Sequence, residues 1–248
     1  MQFRLNLALS LILSVFSCYS LHSSESITSS QLPNLPASML YRAHPWHGPS
    51  LGEKAPHVVN CYVEVVPSST LKFEVDKETG MLMVDRPHKY SSLCPSLYGF
   101  LPRTYAGSRV AEYTGQKIGN PDVIGDDDAL DVCILTENAF NHGDLLLRAI
   151  PIGGFRLLDH HEADDKIIAV LEGDLVFGHM KDISECPEKL LDQLRHFFLT
   201  YKEIPSKEKE PKIQITHIYG REEALEVIRR GHLDYLDYIA PYQQENNK

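Results

Sequence analysis

Residues 124–135 read Ile-Gly-Asp-Asp-Asp-Ala-Leu-Asp-Val-Cys-Ile-Leu. Asp126, Asp127, Asp128 and Asp131 thus crowd four carboxylates into one short turn. Carboxylates this close repel one another at neutral pH. They are tolerated splayed into water or neutralised by cations. Residues 132–135 have the composition of a buried strand, which anchors the acids at the edge of a core. Anchored acids there are costly unless something positive joins them. All the donors are oxygens, which favours a hard cation such as magnesium or manganese. Two other readings compete. An acidic turn can simply cap a strand in water. A calcium loop of the EF-hand type begins well, with Asp126, Asp128 and Glu137 at its first, third and twelfth positions. It then fails, because Leu130 stands where an oxygen ligand is needed and Asp131 replaces the glycine of the sharp turn.

A second acidic stretch, residues 159–166, reads Asp-His-His-Glu-Ala-Asp-Asp-Lys and also precedes an apolar run. If the two strand mouths lie side by side, Asp126, Asp128, Asp131, Asp159 and Asp164 surround one cavity.

The elements that must position these groups are mostly strands. Residues 58–66 form a long β-rich run with Glu64 inside it. Residues 71–76 alternate, with Lys72, Glu74 and Asp76 on one face and Leu71, Phe73 and Val75 on the other. A turn over 77–80 leads to a strand over 81–84 that delivers Asp85-Arg86. Together these predict a hairpin with one charged face, which taken alone reads as a solvated surface. Residues 93–102 read as strand and turn, and 103–123 as a polar, glycine-containing loop. Residues 145–158 predict one or two strands broken at Gly153-Gly154, and 167–171 a buried strand. Leu190, Leu191, Leu194, Phe197 and Phe198 recur at helical spacing, with Ser184 as cap. A charged loop is expected over 206–211. Ala224, Leu225, Val227 and Ile228 mark a second amphipathic helix over 221–239. There is no internal repeat. Strands first and helices later predict an α+β fold, a β-barrel or curled sheet with packed helices.

The chain has 248 residues and 43% hydrophobic content, enough for a core and unlike a disordered chain. A formal charge of -10 argues against nucleic acid or an anionic membrane as the main partner. It leaves an anionic substrate open, since bound metals and local Lys and Arg reverse the local sign. The five cysteines form no CxxC pair, and Cys61 and Cys133 read as small core residues.

The first twenty residues follow a signal-peptide pattern. Arg4 precedes an apolar run over 5–16 too short to span a bilayer, and small residues surround Cys18. Export to the periplasm or the medium is therefore expected. The alternative is a cytoplasmic protein with an uncleaved tail. Membrane contact is expected only through this segment, if uncleaved or lipidated at Cys18. Residues 21–50 read as a linker and N-terminal arm, in which the only Trp, Trp46, lies between prolines and packs against the domain. The domain is expected over 51–240, with a tail over 241–248.

The stretch Gly-Asp-Asp-Asp-Ala-Leu-Asp-Val resembles the Asp-x-Asp-Pro-x-Asp signature of soluble family I inorganic pyrophosphatases. Further blocks follow in order. Lys72-Phe73-Glu74, Asp76-Lys77-Glu78-Thr79-Gly80 and Val84-Asp85-Arg86 are similar to the family's Lys-x-Glu, Asp-Lys-x-x-Gly and Asp-Arg blocks. Pro95-Ser96-Leu97-Tyr98-Gly99 resembles its Pro-x-x-Tyr-Gly element. Asp159, Asp164 and Lys166 match its Asp-x4-Asp-x-Lys loop, and residues 197–202 resemble its late helix. The resemblance implies a five-stranded OB-like β-barrel with packed C-terminal helices, magnesium-dependent hydrolysis of inorganic diphosphate, and a homo-oligomer. It implies metal ligands at Asp126, Asp131, Asp159 and Asp164, and a general base at Asp128. Glu64 and Glu74 match outer carboxylates. Lys72, Arg86, Tyr98, Lys166, Tyr201 and Lys202 match phosphate-contacting or site residues, and Lys212 aligns with a further phosphate-binding lysine. His160 and His161 have no counterpart as ligands and read as exposed loop.

This chain departs from the pattern at three places. Ala129 stands where the signature has Pro, which would pre-set φ. Asp127 replaces the commoner Gly. Cys94 falls where many relatives have a Tyr, removing one hydroxyl. Ala129, Cys94 and the signal-like start motivate a second reading, an exported non-catalytic homologue that binds metal, anion or a partner. A third is a hydrolase of larger phosphoanhydrides.

Overall fold

The computed structural model describes residues 42–202 and 212–245. The leader over 1–20, the linker up to residue 41 and the charged loop over 206–211 lie outside the described residues. The compact unit that holds everything below begins at Ala43.

Among the described residues ten strands occur in chain order: β1 (Val59–Val65), β2 (Leu71–Val75), β3 (Leu82–Pro87), β4 (Leu97–Phe100), β5 (Ile124–Gly125), β6 (Asp131–Leu135), β7 (Leu145–Asp159), β8 (Glu162–Ala163), β9 (Lys166–Leu171) and β10 (Ile213–Gly220). The helices are α1 (Ser108–Ile118), α2 (Glu188–Thr200) and α3 (Arg221–Glu245). β1 pairs with β4, β4 with β6, β6 with β9, β9 with β7, and β7 closes back on β1. The five strands form the expected barrel, and β2 and β3 the expected hairpin beside it. Val59, Val132, Ile134, Ile167 and Ala169 fill the interior with no exposure. The β-branched runs seen in the sequence are therefore core-facing walls.

Within the ring β6 and β9 are parallel, and Asp131 stands opposite Lys166. Outside it the short strands β5 and β8 are also parallel, pairing Ile124 with Glu162 and Gly125 with Ala163. Parallel neighbours start at the same end of a sheet. These two pairings therefore bring both acidic mouths to one rim of the barrel.

Four expectations are corrected. Residues 103–123 are not a loop, because α1 occupies their centre. Its glycines and the absence of a local side-chain cap hide it in the sequence. The cap comes from α3: the Asp234 carboxylate accepts from the N–H groups of Gly107, Arg109 and Val110 at 3.0–3.1 Å. β7 is one strand of fifteen residues, unbroken at Gly153-Gly154. Its bulge between Pro151 and Gly153 bends it so that one strand serves both the barrel wall and β10. A Cβ on Gly154 would lie 2.5 Å from the Tyr219 ring, so the glycines make room for β10, which the sequence reading did not identify. Ser184 does not cap α2. It sits in a 3-10 turn whose own cap is Asp182, and α2 starts after Pro187. α3 runs past residue 239 to Glu245 and includes Pro241.

Arg156 lies inside the fold with about 1% of its side chain exposed. It pairs with Asp165 at 3.4 Å and Glu223 at 2.7 Å, between the rings of Tyr113 and Tyr219. Cys61, Cys94, Cys133 and Cys186 are buried and unpaired as disulfides.

Candidate active site

One cavity of about 240 Å³ opens at the rim where the acidic mouths meet. Glu64, Lys72, Glu74, Arg86, Tyr98, Asp126, Asp128, Asp131, Asp159, Asp164, Lys166, Tyr201 and Lys202 all line it. The thirteen side chains come from segments up to 138 residues apart, the separation of Glu64 and Lys202. The hairpin β2–β3 supplies Lys72, Glu74 and Arg86, β4 supplies Tyr98, and the end of α2 supplies Tyr201 and Lys202. Tyr201 stacks on Phe197 at 5.0 Å, so packing of the helix end fixes the direction of its hydroxyl.

The acidic turn is shaped by close backbone approach. A Cβ on Gly125 would meet the Ala106 carbonyl at 2.0 Å, so only glycine fits there. Asp127 has φ +59, the left-handed region that glycine enters freely and Asp tolerates. The Asp127 side chain points away from the cavity and accepts from Tyr105 Oη at 2.6 Å. The Ala129 N–H donates to Asp128 Oδ1 at 2.8 Å, a bond that Pro could not make.

At the centre, Lys166 donates to both Asp131 Oδ2 and Asp164 Oδ1, and Tyr98 Oη donates to Asp131 Oδ2 at 2.6 Å. Lys202 donates to Asp159 Oδ2, and His160 Nδ1 lies 2.9 Å from Asp159 Oδ1. His160 and His161 are exposed, as expected. Lys72 pairs with Glu74 at 2.6 Å and Asp85 at 2.9 Å, and Arg86 pairs with Asp85. Glu64 is buried and accepts from the Val75 N–H at 2.8 Å.

Eight carboxylates and five cationic side chains line the cavity. The excess of acids shows in their proton affinities. Burial and the nearby Asp164 and Asp131 push Asp126 up to about 9. Burial and the proximity of Asp131 raise Asp164 to about 6, although Lys166 opposes them. Burial takes Glu64 to about 8. Asp128 is raised by burial and held back by Lys77. Asp159 goes the other way: burial opposes its ionisation, but Lys202 and His160 outweigh it and lower its pKa. Lys166 is disfavoured by burial yet lies well above the ordinary lysine range, because Asp131 and Asp164 hold its proton.

Among the described residues no three acid, His or Cys side chains are already gathered as a metal cage. The donor set nevertheless suits a hard cation. It is all oxygen, carries more acid than base, and contains carboxylates whose ionisation is held back only by burial and by one another. Lys166 supplies the positive charge between Asp131 and Asp164 in this arrangement.

Lys77, Trp46 and Glu162 also line the cavity and were not placed there by the sequence reading. Lys77 makes an ion pair with Asp128 at 3.1 Å. It lies in the Asp-Lys-x-x-Gly block, so its motif was visible although its target was not. Trp46 reaches the cavity from the arm, and Glu162 from β8. Cys94 lies off the main cavity and lines a void of about 20 Å³ with Lys72, Tyr98 and Tyr201. Lys212 is exposed and is not among the lining residues.

A family model described as inorganic pyrophosphatase matches residues 61–236. The chain belongs to this family. It is 54% identical over 198 residues to the inorganic pyrophosphatase of Chlamydia trachomatis serovar L2, covering 79% of this chain and 95% of that protein. It is 36% identical to the soluble inorganic pyrophosphatase of Oryza sativa subsp. indica, over 79% of this chain and 81% of the other. Among solved structures, the inorganic pyrophosphatase from Thermus thermophilus aligns with a TM-score of 0.64 at 29% identity. That alignment covers 78% of this chain and 99% of that one.

Proposed function

We propose that this chain hydrolyses inorganic diphosphate to two phosphates, with magnesium as its cation and Asp128 as general base. The observation that carries the proposal is the convergence of thirteen chemically matched side chains on one small cavity in a chain of this family.

Diphosphate is a small, dense anion. Lys72, Arg86, Lys166 and Lys202 offer it charge, Arg86 with a fork suited to phosphate oxygens. Tyr98 and Tyr201 donate hydrogen bonds without adding charge. Lys72, Lys166 and Lys202 are each held by a carboxylate, and Asp131, Asp159 and Asp164 are thereby held ready. When the anion arrives, the lysines turn from acids to phosphate oxygens. Asp131, Asp159 and Asp164 are then released and, together with Asp126, would hold the cations, with Glu64 and Glu74 behind them. Bound magnesium supplies Lewis acidity and acidifies water. Asp128 lies at the rim with Oδ2 directed to Lys77 and takes the proton of the attacking water. Catalysis is otherwise positioning and charge stabilisation.

Phosphate release from diphosphate with magnesium tests this reading for the wild type and Asp128→Asn. The variant is expected to lose about 10²- to 10⁴-fold in kcat, the range for a general base. Equal rates remove the role given to Asp128. Turnover of tripolyphosphate and ATP in the same assay measures selectivity against larger phosphoanhydrides. Self-association and export belong to the same proposal, and sedimentation and N-terminal sequencing of the native protein test them.

A further inference from the structure

The N-terminal arm reaches the reaction centre through an unbroken series of contacts. His44 Nε2 lies 3.2 Å from the Lys77 carbonyl, and His44 Nδ1 accepts from the Trp46 N–H at 3.2 Å. One tautomer serves both bonds. Gly80 closes the same turn with φ +72, and a Cβ there would lie 2.8 Å from the His44 ring. The β2–β3 turn is thus seated directly on the arm.

Trp46 is buried to 4% exposure and stacks on Tyr238 of α3 at 5.6 Å. Its Nε1–H donates to the Thr104 carbonyl at 2.8 Å, and Thr104 Oγ1 accepts from the Leu130 N–H at 3.0 Å. Leu130 is two residues beyond Asp128. The arm therefore joins the turn that carries Lys77 to the acidic loop that carries Asp128. Between them, the Lys77 ammonium lies 5.9 Å from the Trp46 ring centroid and 3.1 Å from Asp128 Oδ2.

Both oxygens of Asp128 are thereby occupied. Oδ1 accepts from the Ala129 N–H, and Oδ2 faces Lys77. Contacts on opposite oxygens fix the plane of a carboxylate, which otherwise swivels about its last torsion. The pair is half exposed, 49% for Lys77 and 43% for Asp128, so it adds little to stability. Its effect is on direction.

We propose that Lys77, clamped by His44 and Trp46 of the arm, is a positioning residue that aims Asp128 at the attacking water. The inference rests on Asp128 being the base. Misplacing a reacting group by an ångström costs up to about a hundredfold, so partial loss of aim in Lys77→Met is expected to lower kcat about tenfold. KM for diphosphate stays unchanged, because Lys77 is committed to the base and not to phosphate. Lys77→Arg, which keeps the charge over Trp46, recovers most of the rate. Trp46→Phe, which keeps the ring but loses the bond to Thr104, lowers kcat by a smaller factor.

The decisive measurement is steady-state hydrolysis by the full chain with magnesium for Lys77→Met, Lys77→Arg, Asp128→Asn and the double variant Lys77→Met with Asp128→Asn. The proposal expects the double variant to be no slower than Asp128→Asn alone. It is overturned if Lys77→Met keeps full kcat, if it raises KM instead, if Arg gives no recovery, or if the two losses multiply. Binding of Mn²⁺ by Lys77→Met, read by electron paramagnetic resonance, is expected to match the wild type. Weakened binding would make Lys77 part of the cation site and overturn the proposal. If Asp128→Asn alone keeps full rate, it is the base assignment that fails, and the Lys77 variants then have nothing to aim.

Discussion

Asp164 and Asp165 are neighbours in sequence and face opposite ways. Asp164 turns into the cavity, where it meets Lys166 within a group of carboxylates that outnumber the cations. Asp165 turns into the fold, where Arg156 and the Tyr219 hydroxyl, the latter at 2.9 Å, meet its Oδ2. Around Arg156 the charges balance: Arg156 and Lys117 face Asp165 and Glu223. Asp164 and Asp165 form the two-residue link between β8 and β9, and there successive side chains point to opposite sides and separate two uses of the same chemistry. The inner cluster has its counter-charge built into the chain and serves the fold. The outer cluster lacks part of its counter-charge, and in the proposed function that shortage is what cations make good. A site that had to bind and release ions could not be neutralised by its own side chains.

The contrast can be broken most forcibly at Arg156. Arg156→Met leaves Asp165 buried without a cation and is expected to cost about 3–5 kcal/mol, read as a lower urea midpoint, with kcat of the folded fraction unchanged. A variant that keeps its stability but loses activity would place Arg156 in the site after all. The reciprocal substitution, Asp164→Asn, is expected to lower kcat/KM about a hundredfold, since it removes one of the carboxylates proposed to hold the cation. Stability should stay within about 1 kcal/mol, because the change relieves an acid excess. Unfolding as severe as that of Arg156→Met would erase the distinction.

The smallest effect concerns pH. In chelated protein, Asp164 near 6, Glu64 near 8 and Asp126 near 9 hold protons more tightly than in the unfolded chain, where carboxylates titrate near about 4. The folded state then binds more protons between these limits. The contribution of these three groups is therefore full below about pH 4 and is lost progressively as pH climbs towards 9. If magnesium is the cation, as proposed, adding it is expected to displace these protons and flatten the slope. A melting temperature that rises over that range without metal would contradict the acid excess.

Much of the site could be read in the chain because its chemistry demands particular residue types at short spacings. The acids of both loops and the Lys72, Arg86 and Lys202 cations stand in local motifs. The barrel strands were legible for a similar reason, as apolar runs between turns. α1 was not, because Asp234 caps it from 126 residues downstream of Ser108. β10 was missed because its partner β7 decides its role, and β7 looked broken at glycines that only make room for Tyr219.

The sequence by itself determined the donors, their hard-oxygen character and the family pattern in which they stand. Tertiary structure alone decided that they meet. The parallel pairs β6–β9 and β5–β8 set Asp131 against Lys166 and one acidic loop beside the other. It also decided that Asp165 faces inward and that Trp46 and Lys77 reach Asp128. Local spacing fixes which groups a turn can offer. Long-range register, set by burial of strands distant in the chain, fixes which groups they face.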